Sequence, residues 1–311
     1  MKNRGADNWL KYPVVVIKGA CMGAADVVPG VSGGTIALLM GIYQRLIDAI
    51  HSVLPALPLL LRGRLRLFCR SIDGTFLALL FGGILLSVLS IAKLMTWLLE
   101  THPVQVWSLF FGLILASSFF VLKGVGKLRI QHLLAMVAGI AAAAAISLLS
   151  PAETPDAWWF IFLSGAIAIC AMILPGISGS FILLLLGKYE FIMQAVTTMN
   201  VPVLMLFAAG AVVGLLSFSQ LLSWLLKQYY ATTLSLLSGF MLGSLVKVWP
   251  WKEALSDGTE IPIMPFVYEE IYSIPSQYGH SLLFFFIGCV VVLIVEIITK
   301  KTVKYVWIKE I

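Results

Sequence analysis

A proline, two or three glycines and a serine recur in the same order 146 positions apart, as Pro29-Gly30-Val31-Ser32-Gly33-Gly34 and Pro175-Gly176-Ile177-Ser178-Gly179-Ser180. Both copies lie inside apolar stretches. Proline has no N–H to donate and glycine tolerates positive φ, so Pro29, Gly30, Pro175 and Gly176 predict two broken helices. Ser32 and Ser178 then stand as N-caps of the helices that follow. The first amides of each helix, at Ser32, Gly33, Gly34 and Thr35 and at Ser178, Gly179 and Ser180, lack partners within the helix and carry its positive end. That pattern suits a phosphate or a carboxylate. The plainer reading is that small residues let two hairpin tips pack together.

The copies differ where charge is concerned. Asp26 aligns with Met172, Thr35 with Phe181, Arg45 with Phe191 and Asp48 with Gln194. An ionisable group at membrane depth is a functional candidate, which makes Asp26 the candidate for proton coupling, and protons or sodium are the expected coupling ions of the protein. Its plainer reading is a cap on a neighbouring helix. Arg45, Lys93 and Lys188 are candidate charge partners for an anion. Arg45 and Asp48, at i,i+3 spacing, equally suit an interfacial ion pair. Cys21, Cys69, Cys170 and Cys289 have no metal-type spacing, and neither a metal nor a cofactor is expected.

The elements that position these residues are membrane helices. Of the 311 residues, 60% are hydrophobic and 12% charged, and mean hydropathy is +0.99. Soluble domains carry about 25% charged residues, so the chain reads as an all-α polytopic membrane protein. No cleavable leader is expected. The net charge of +6 sits in short loops, which points to membrane orientation rather than nucleic acid. Six apolar runs, about 75–99, 104–122, 132–150, 201–226, 231–248 and 281–298, each fit one crossing of about 20 residues. Two longer runs, about 13–50 and 157–196, hold the duplicated phrase and read as re-entrant hairpins or paired crossings. As hairpins, they put Arg62, Arg64, Arg66 and Arg70 inside with both termini, and the acidic loops outside. Lys188, Lys247 and Lys252 are the exceptions.

The repeat extends beyond the phrase. Between Gly19–Ile50 and Gly165–Val196, 13 of 32 positions are identical, including Gly41 with Gly187 and Tyr43 with Tyr189. Further on, Gly83, Ser90, Trp97, Ser108 and Gly112 match Gly210, Ser217, Trp224, Ser235 and Gly239. The chain divides into repeats 1–150 and 151–311, each a hairpin plus three crossings. An odd number of crossings sets the repeats upside down, the inverted topology of many transporters.

An enzyme is not expected. Gly-x-Ser-Gly resembles an intramembrane protease motif, but the serine is duplicated, and His51, His102, His132 and His280 lie in loops or at segment ends. A small-anion transporter or channel built on the same paired helix starts is the competing class.

The whole chain resembles the bacterial polyprenyl-phosphate translocases. The resemblance rests on Ala25-Asp26-Val27-Val28-Pro29-Gly30-Val31-Ser32-Gly33-Gly34-Thr35 with Gly41-x-Tyr43, and on Leu174-Pro175-Gly176-Ile177-Ser178-Gly179-Ser180 with Gly187-x-Tyr189. It implies a multi-pass protein of the bacterial cytoplasmic membrane. Its cargo would be undecaprenyl phosphate, returned from the outer to the inner leaflet for cell-wall and polysaccharide synthesis.

Overall fold

The computed structural model describes residues 11–27, 32–152, 154–255 and 260–308. Pro29, Gly30 and Val31 lie outside the described residues, whereas the second phrase is described throughout. The first long apolar segment comprises α1 (Lys11–Asp26), α2 (Gly33–Leu39) and α3 (Tyr43–His51). Two short helices, α4 (Val53–Leu61) and α5 (Leu65–Ser71), occupy the arginine-rich loop. Then come α6 (Gly74–Thr101), α7 (Pro103–Lys123) and α8 (Ile130–Ser147). The second half runs through α9 (Trp158–Ile173), α10 (Gly179–Leu185), α11 (Tyr189–Thr197) and α12 (Val201–Gln228). It continues with α13 (Tyr230–Gly243), which ends in a 3-10 turn (Ser244–Val246). Strands β1 (Lys252–Ala254) and β2 (Glu260–Pro262), then α14 (Pro265–Tyr272) and α15 (Tyr278–Ile308), complete it.

Among the described residues, α6, α7, α8, α12 and α15 are long and apolar enough to cross a bilayer. The sixth expected crossing is shorter, since α13 and its turn span only Tyr230–Val246. Both long segments hold a second break that a simple two-armed hairpin lacks. Gly41 and Gly187 take φ of 66° and 60°, a region that side chains disfavour. The returning arms α2 and α10 are therefore only seven residues long. Beyond the second break the chain turns sharply, by 111° between α10 and α11.

The sequence repeat persists in the elements. α3 and α11 have nine residues each, and α6 and α12 have 28 each. Four pairs of helices pack side by side in the same direction. In α1 and α6, Gly19 faces Leu80 and Gly23 faces Ile84. In α9 and α12, Gly165 faces Phe207 and the Cys170 thiol reaches the Gly214 carbonyl. The other two pairs join the halves. Ser108 of α7 lies 2.7 Å from Ser281 of α15, and the Cys289 thiol reaches the Gly112 carbonyl. In α8 and α13, Gly139 faces Leu236 and Gly243 faces Ile140. Small residues at these contacts let backbones approach closely, which replaces the hydrophobic drive that lipid removes.

The segment between α13 and α15 is built on aromatic and ionic contacts. The indole N–H groups of Trp249 and Trp251 donate to the carbonyls of Ile263 and Ser276, each at 2.9 Å. β1 and β2 pair antiparallel, with Lys252 opposite Pro262. Lys247 and Lys252 both reach Glu260 Oε2, at 3.1 and 3.4 Å. Burial by itself would raise the Glu260 carboxyl, but the two lysines hold it below its ordinary value of 4.5. A carboxyl held low adds stability that is complete above its ordinary value and is lost as pH falls through the lowered one. Amide-exchange protection across β1 and β2 should therefore hold at neutral pH and decline below about pH 4.5. Protection that stays flat through that range would show that the ion pairs do not secure the strands.

Candidate functional site at the hairpin tips

The break in the second hairpin starts where α9 runs into Pro175. The residue before a proline is pushed out of helical geometry, and Leu174 is extended, with φ −68° and ψ 130°. Gly176 follows at φ 91°. Ser178 is extended too, and its hydroxyl accepts from the Phe181 N–H at 3.3 Å to start α10. This leaves the last carbonyls of α9 without helical partners, and a bilayer core offers no water to replace them.

Residues of the first hairpin supply the partners. The Ser32 hydroxyl lies 3.1 Å from the Leu174 carbonyl and 3.3 Å from that of Met172. The Tyr43 hydroxyl donates to the Ile173 carbonyl at 3.1 Å. The Gly176 N–H donates to Thr35 Oγ1 at 3.0 Å. Gly34 packs so tightly that an added Cβ would lie 2.6 Å from the Ile173 carbonyl oxygen. The two phrases therefore meet directly, and Ser32, at 0% exposure, is enclosed by the contact.

The two helix starts are not equivalent. At α2, the Gly33 N–H donates to Asp26 Oδ1 at 2.6 Å and the Gly34 N–H to the Ser32 hydroxyl at 3.1 Å. The Thr35 N–H bonds the Ser32 carbonyl at 2.9 Å. Asp26 thus caps α2, and the amides of Gly33, Gly34 and Thr35, expected to stand open to an anion, have internal partners. At α10, Met172 stands where the repeat would place Asp26. The Ser178 and Ser180 hydroxyls lie 3.4 Å apart, with Ser180 exposed and Gly179 half-buried. Of the two starts, α10 is the one that presents polar groups outward.

The remaining candidates, Lys93 apart, are engaged elsewhere. Arg45 pairs with Asp73 at 2.7 Å and lies over the Phe76 ring at the start of α6. Asp48 accepts from Ser223 and pairs with Lys227 at the end of α12. The expected Arg45–Asp48 pair is not made, because the two side chains turn to different neighbouring helices. Lys93 is exposed on α6 and makes no ion pair among the described residues. Lys188, 2% exposed, binds Asp156 and donates to the Thr154 carbonyl at 2.8 Å. The histidines sit at helix ends: His51 closes α3, His102 lies between α6 and α7, and His132 accepts from the Arg129 N–H.

Residues 22–261 match the family model described as undecaprenyl phosphate translocase-like. The chain belongs to that family. It is 45% identical over 307 residues to a polyprenyl-phosphate transporter of Vibrio cholerae, covering 95% of this chain and 100% of that protein. A polyprenyl-phosphate transporter of Staphylococcus aureus is 33% identical over 253 residues, covering 76% of this chain and 85% of that one. No solved structure matches the chain.

The span shared with the translocase-like family takes in both phrases and Tyr43. Sequence reasoning gave Tyr43 no role. The available signal was a hydroxyl inside an apolar segment at a position repeated as Tyr189, although Tyr189 itself is exposed. Leaving a buried carbonyl without its donor costs about 1–3 kcal/mol. Ser32→Ala and Tyr43→Phe should each lower the thermal stability of this family member in detergent by about that much. Melting curves that overlay the parent would remove these hydroxyls from the account of the break.

Proposed function

We propose that the chain carries undecaprenyl phosphate from the outer to the inner leaflet of the bacterial cytoplasmic membrane, for reuse in envelope polysaccharide synthesis. The observation that carries this reading is the meeting of the two phrases through Ser32, Thr35 and Gly176. It brings two helix starts together at a membrane-embedded break, where a phosphate can exchange its hydration shell for oriented amides and hydroxyls. The names of the relatives agree with this cargo. A phosphomonoester is largely dianionic at neutral pH, so crossing hydrocarbon unaided is prohibitive. The isoprenoid tail needs no such help and stays in lipid. The chain's part is binding and movement, with no covalent step.

In this reading the head group is held by Ser178, Gly179 and Ser180 at α10, and reaches Ser32, Gly33, Gly34 and Thr35 by taking the place of the Asp26 carboxylate. Asp26 is then the coupling residue, since its charge and that of the lipid compete for one helix start. The halves rock as inverted repeats around this point. Support comes from α3, which ties the start of α6 through Arg45–Asp73 and the end of α12 through Asp48–Lys227. The matched helices α6 and α12 thus present opposite ends to one element. The basic loops and both termini then face the cytoplasm.

Proteoliposomes holding a short-chain polyprenyl phosphate in the outer leaflet test the reading. Gly34→Ala, which wedges the tips apart, and Ser178→Ala should slow head-group transfer by at least about tenfold, a barrier change near 1.4 kcal/mol. Asp26→Asn should uncouple transfer from an imposed proton or sodium gradient while leaving the α2 cap an oxygen acceptor. Parent-like transfer in all three variants would defeat the tip site, and flux of small anions without lipid movement would favour a channel instead.

A further inference from the structure

Three lysines break the loop-charge pattern, and two of them come together. Lys247 follows the 3-10 turn after α13, and Lys252 opens β1. Their side chains are only 14% and 9% exposed, yet they share a single carboxylate oxygen, Glu260 Oε2. Among the described residues, two desolvated ammonium groups share one carboxylate, which leaves a positive charge uncompensated and is costly away from water. Each ammonium also sits over an aromatic ring. Lys252 lies 3.5 Å from the centroid of Trp107, and Lys247 lies 4.6 Å from that of Phe181. Burial draws the Lys252 ammonium down to about 8, against the pull of Glu260 and with the help of Lys247. Among the described residues, other nearby carboxylates do not make up the balance. Glu253 alternates to the opposite face of β1, and Glu269 accepts from Ser276 at 2.8 and 2.6 Å.

The cluster adjoins the second hairpin tip. Phe181, under Lys247, is the third residue of α10, and its N–H is the one that Ser178 caps. Ser244, one turn before Lys247, packs on Gly176, where an added Cβ would lie 2.9 Å from the serine hydroxyl. The uncompensated charge therefore sits beside the helix start that presents polar groups outward.

We propose that Lys247 and Lys252 form a second station for a phosphate dianion, lipid-borne or free, with Glu260 as the built-in anion that the ligand displaces. The choice of phosphate rests on the carrier reading, whereas the station itself rests on the charge count. A dianion balances both ammonium groups, which one carboxylate does not. Release of Glu260 vacates the place between the two ammonium groups that the head group takes.

The test titrates the full chain in lipid nanodiscs with geranyl phosphate and, separately, inorganic phosphate by calorimetry. Glu260→Gln removes the competing anion, and affinity should rise about tenfold, or near 1.4 kcal/mol. Lys247→Gln combined with Lys252→Gln should lower affinity by about tenfold or more. Lys247→Arg with Lys252→Arg should keep it, which separates charge from mere folding of the strands. Binding of geranyl phosphate alone assigns a lipid head group, and equal binding of inorganic phosphate assigns a free one. A parent chain that binds geranyl phosphate while the Glu260 and paired-glutamine variants match it overturns the station and leaves the tip site standing. A parent chain that binds neither probe overturns both.

Discussion

Breaking a helix inside a membrane exposes carbonyl groups that hydrocarbon cannot satisfy, and the rest of this structure is arranged around meeting that demand. Pro175 ends α9 and strands the carbonyls of Met172, Ile173 and Leu174. Ser32 and Tyr43, from the other half of the chain, reach them, and Thr35 takes the freed amide of Gly176. The halves are therefore joined at their weakest points. A tip that separated from its partner would leave several buried polar groups unpaired at once, each at a cost of about 1–3 kcal/mol. Contact between the tips is thus a condition of stability before it is a feature of transport.

The duplication is imperfect in a way that has physical content. Both phrases cap a helix with serine, but the first half surrounds its cap with Asp26, Thr35 and Tyr43. The matching positions of the second half are Met172, Phe181 and an exposed Tyr189. Among the described residues, the amides of Gly33, Gly34 and Thr35 at the first tip have internal partners, and its side chains support its neighbour. The other keeps exposed and half-buried polar positions at Ser180 and Gly179. Two side chains differ, Met172 for Asp26 and Phe181 for Thr35, while the tyrosine is kept and differs only in its burial.

Charge in this molecule follows two rules. Lysine and arginine in exposed loops are the usual orienting signal of membrane proteins, and Arg62, Arg64, Arg66 and Arg70 are exposed in such a loop. Lys188, Lys247 and Lys252, which violate the loop pattern, are instead enclosed and held by Asp156 or Glu260 and by aromatic rings. A lysine in such a setting cannot act as a freely hydrated topological signal. Burial and specific partners tie it into the fold instead.

Much was legible in the sequence because a bilayer imposes lengths and penalties that one dimension can express. Apolar runs near 20 residues predicted five of the six single crossings, α13 being shorter, and Pro-Gly with a following serine predicted the breaks and the caps at Ser32 and Ser178. The repeat predicted matched elements, which recur as α6 and α12. Which groups the stranded carbonyls bond was not legible, since those partners lie more than a hundred residues away and geometry alone selects among many hydroxyls. The second breaks at Gly41 and Gly187 were visible as matched glycines but not as turns, because glycine equally serves close packing. Asp26 could be read as a coupling residue or a cap, and only its distance from the Gly33 amide showed that it caps α2. Sequence alone determined where the helix must break, since proline and glycine act locally. The tertiary structure decided what completes the break, since hydrogen bonds across the fold depend on where distant backbones meet.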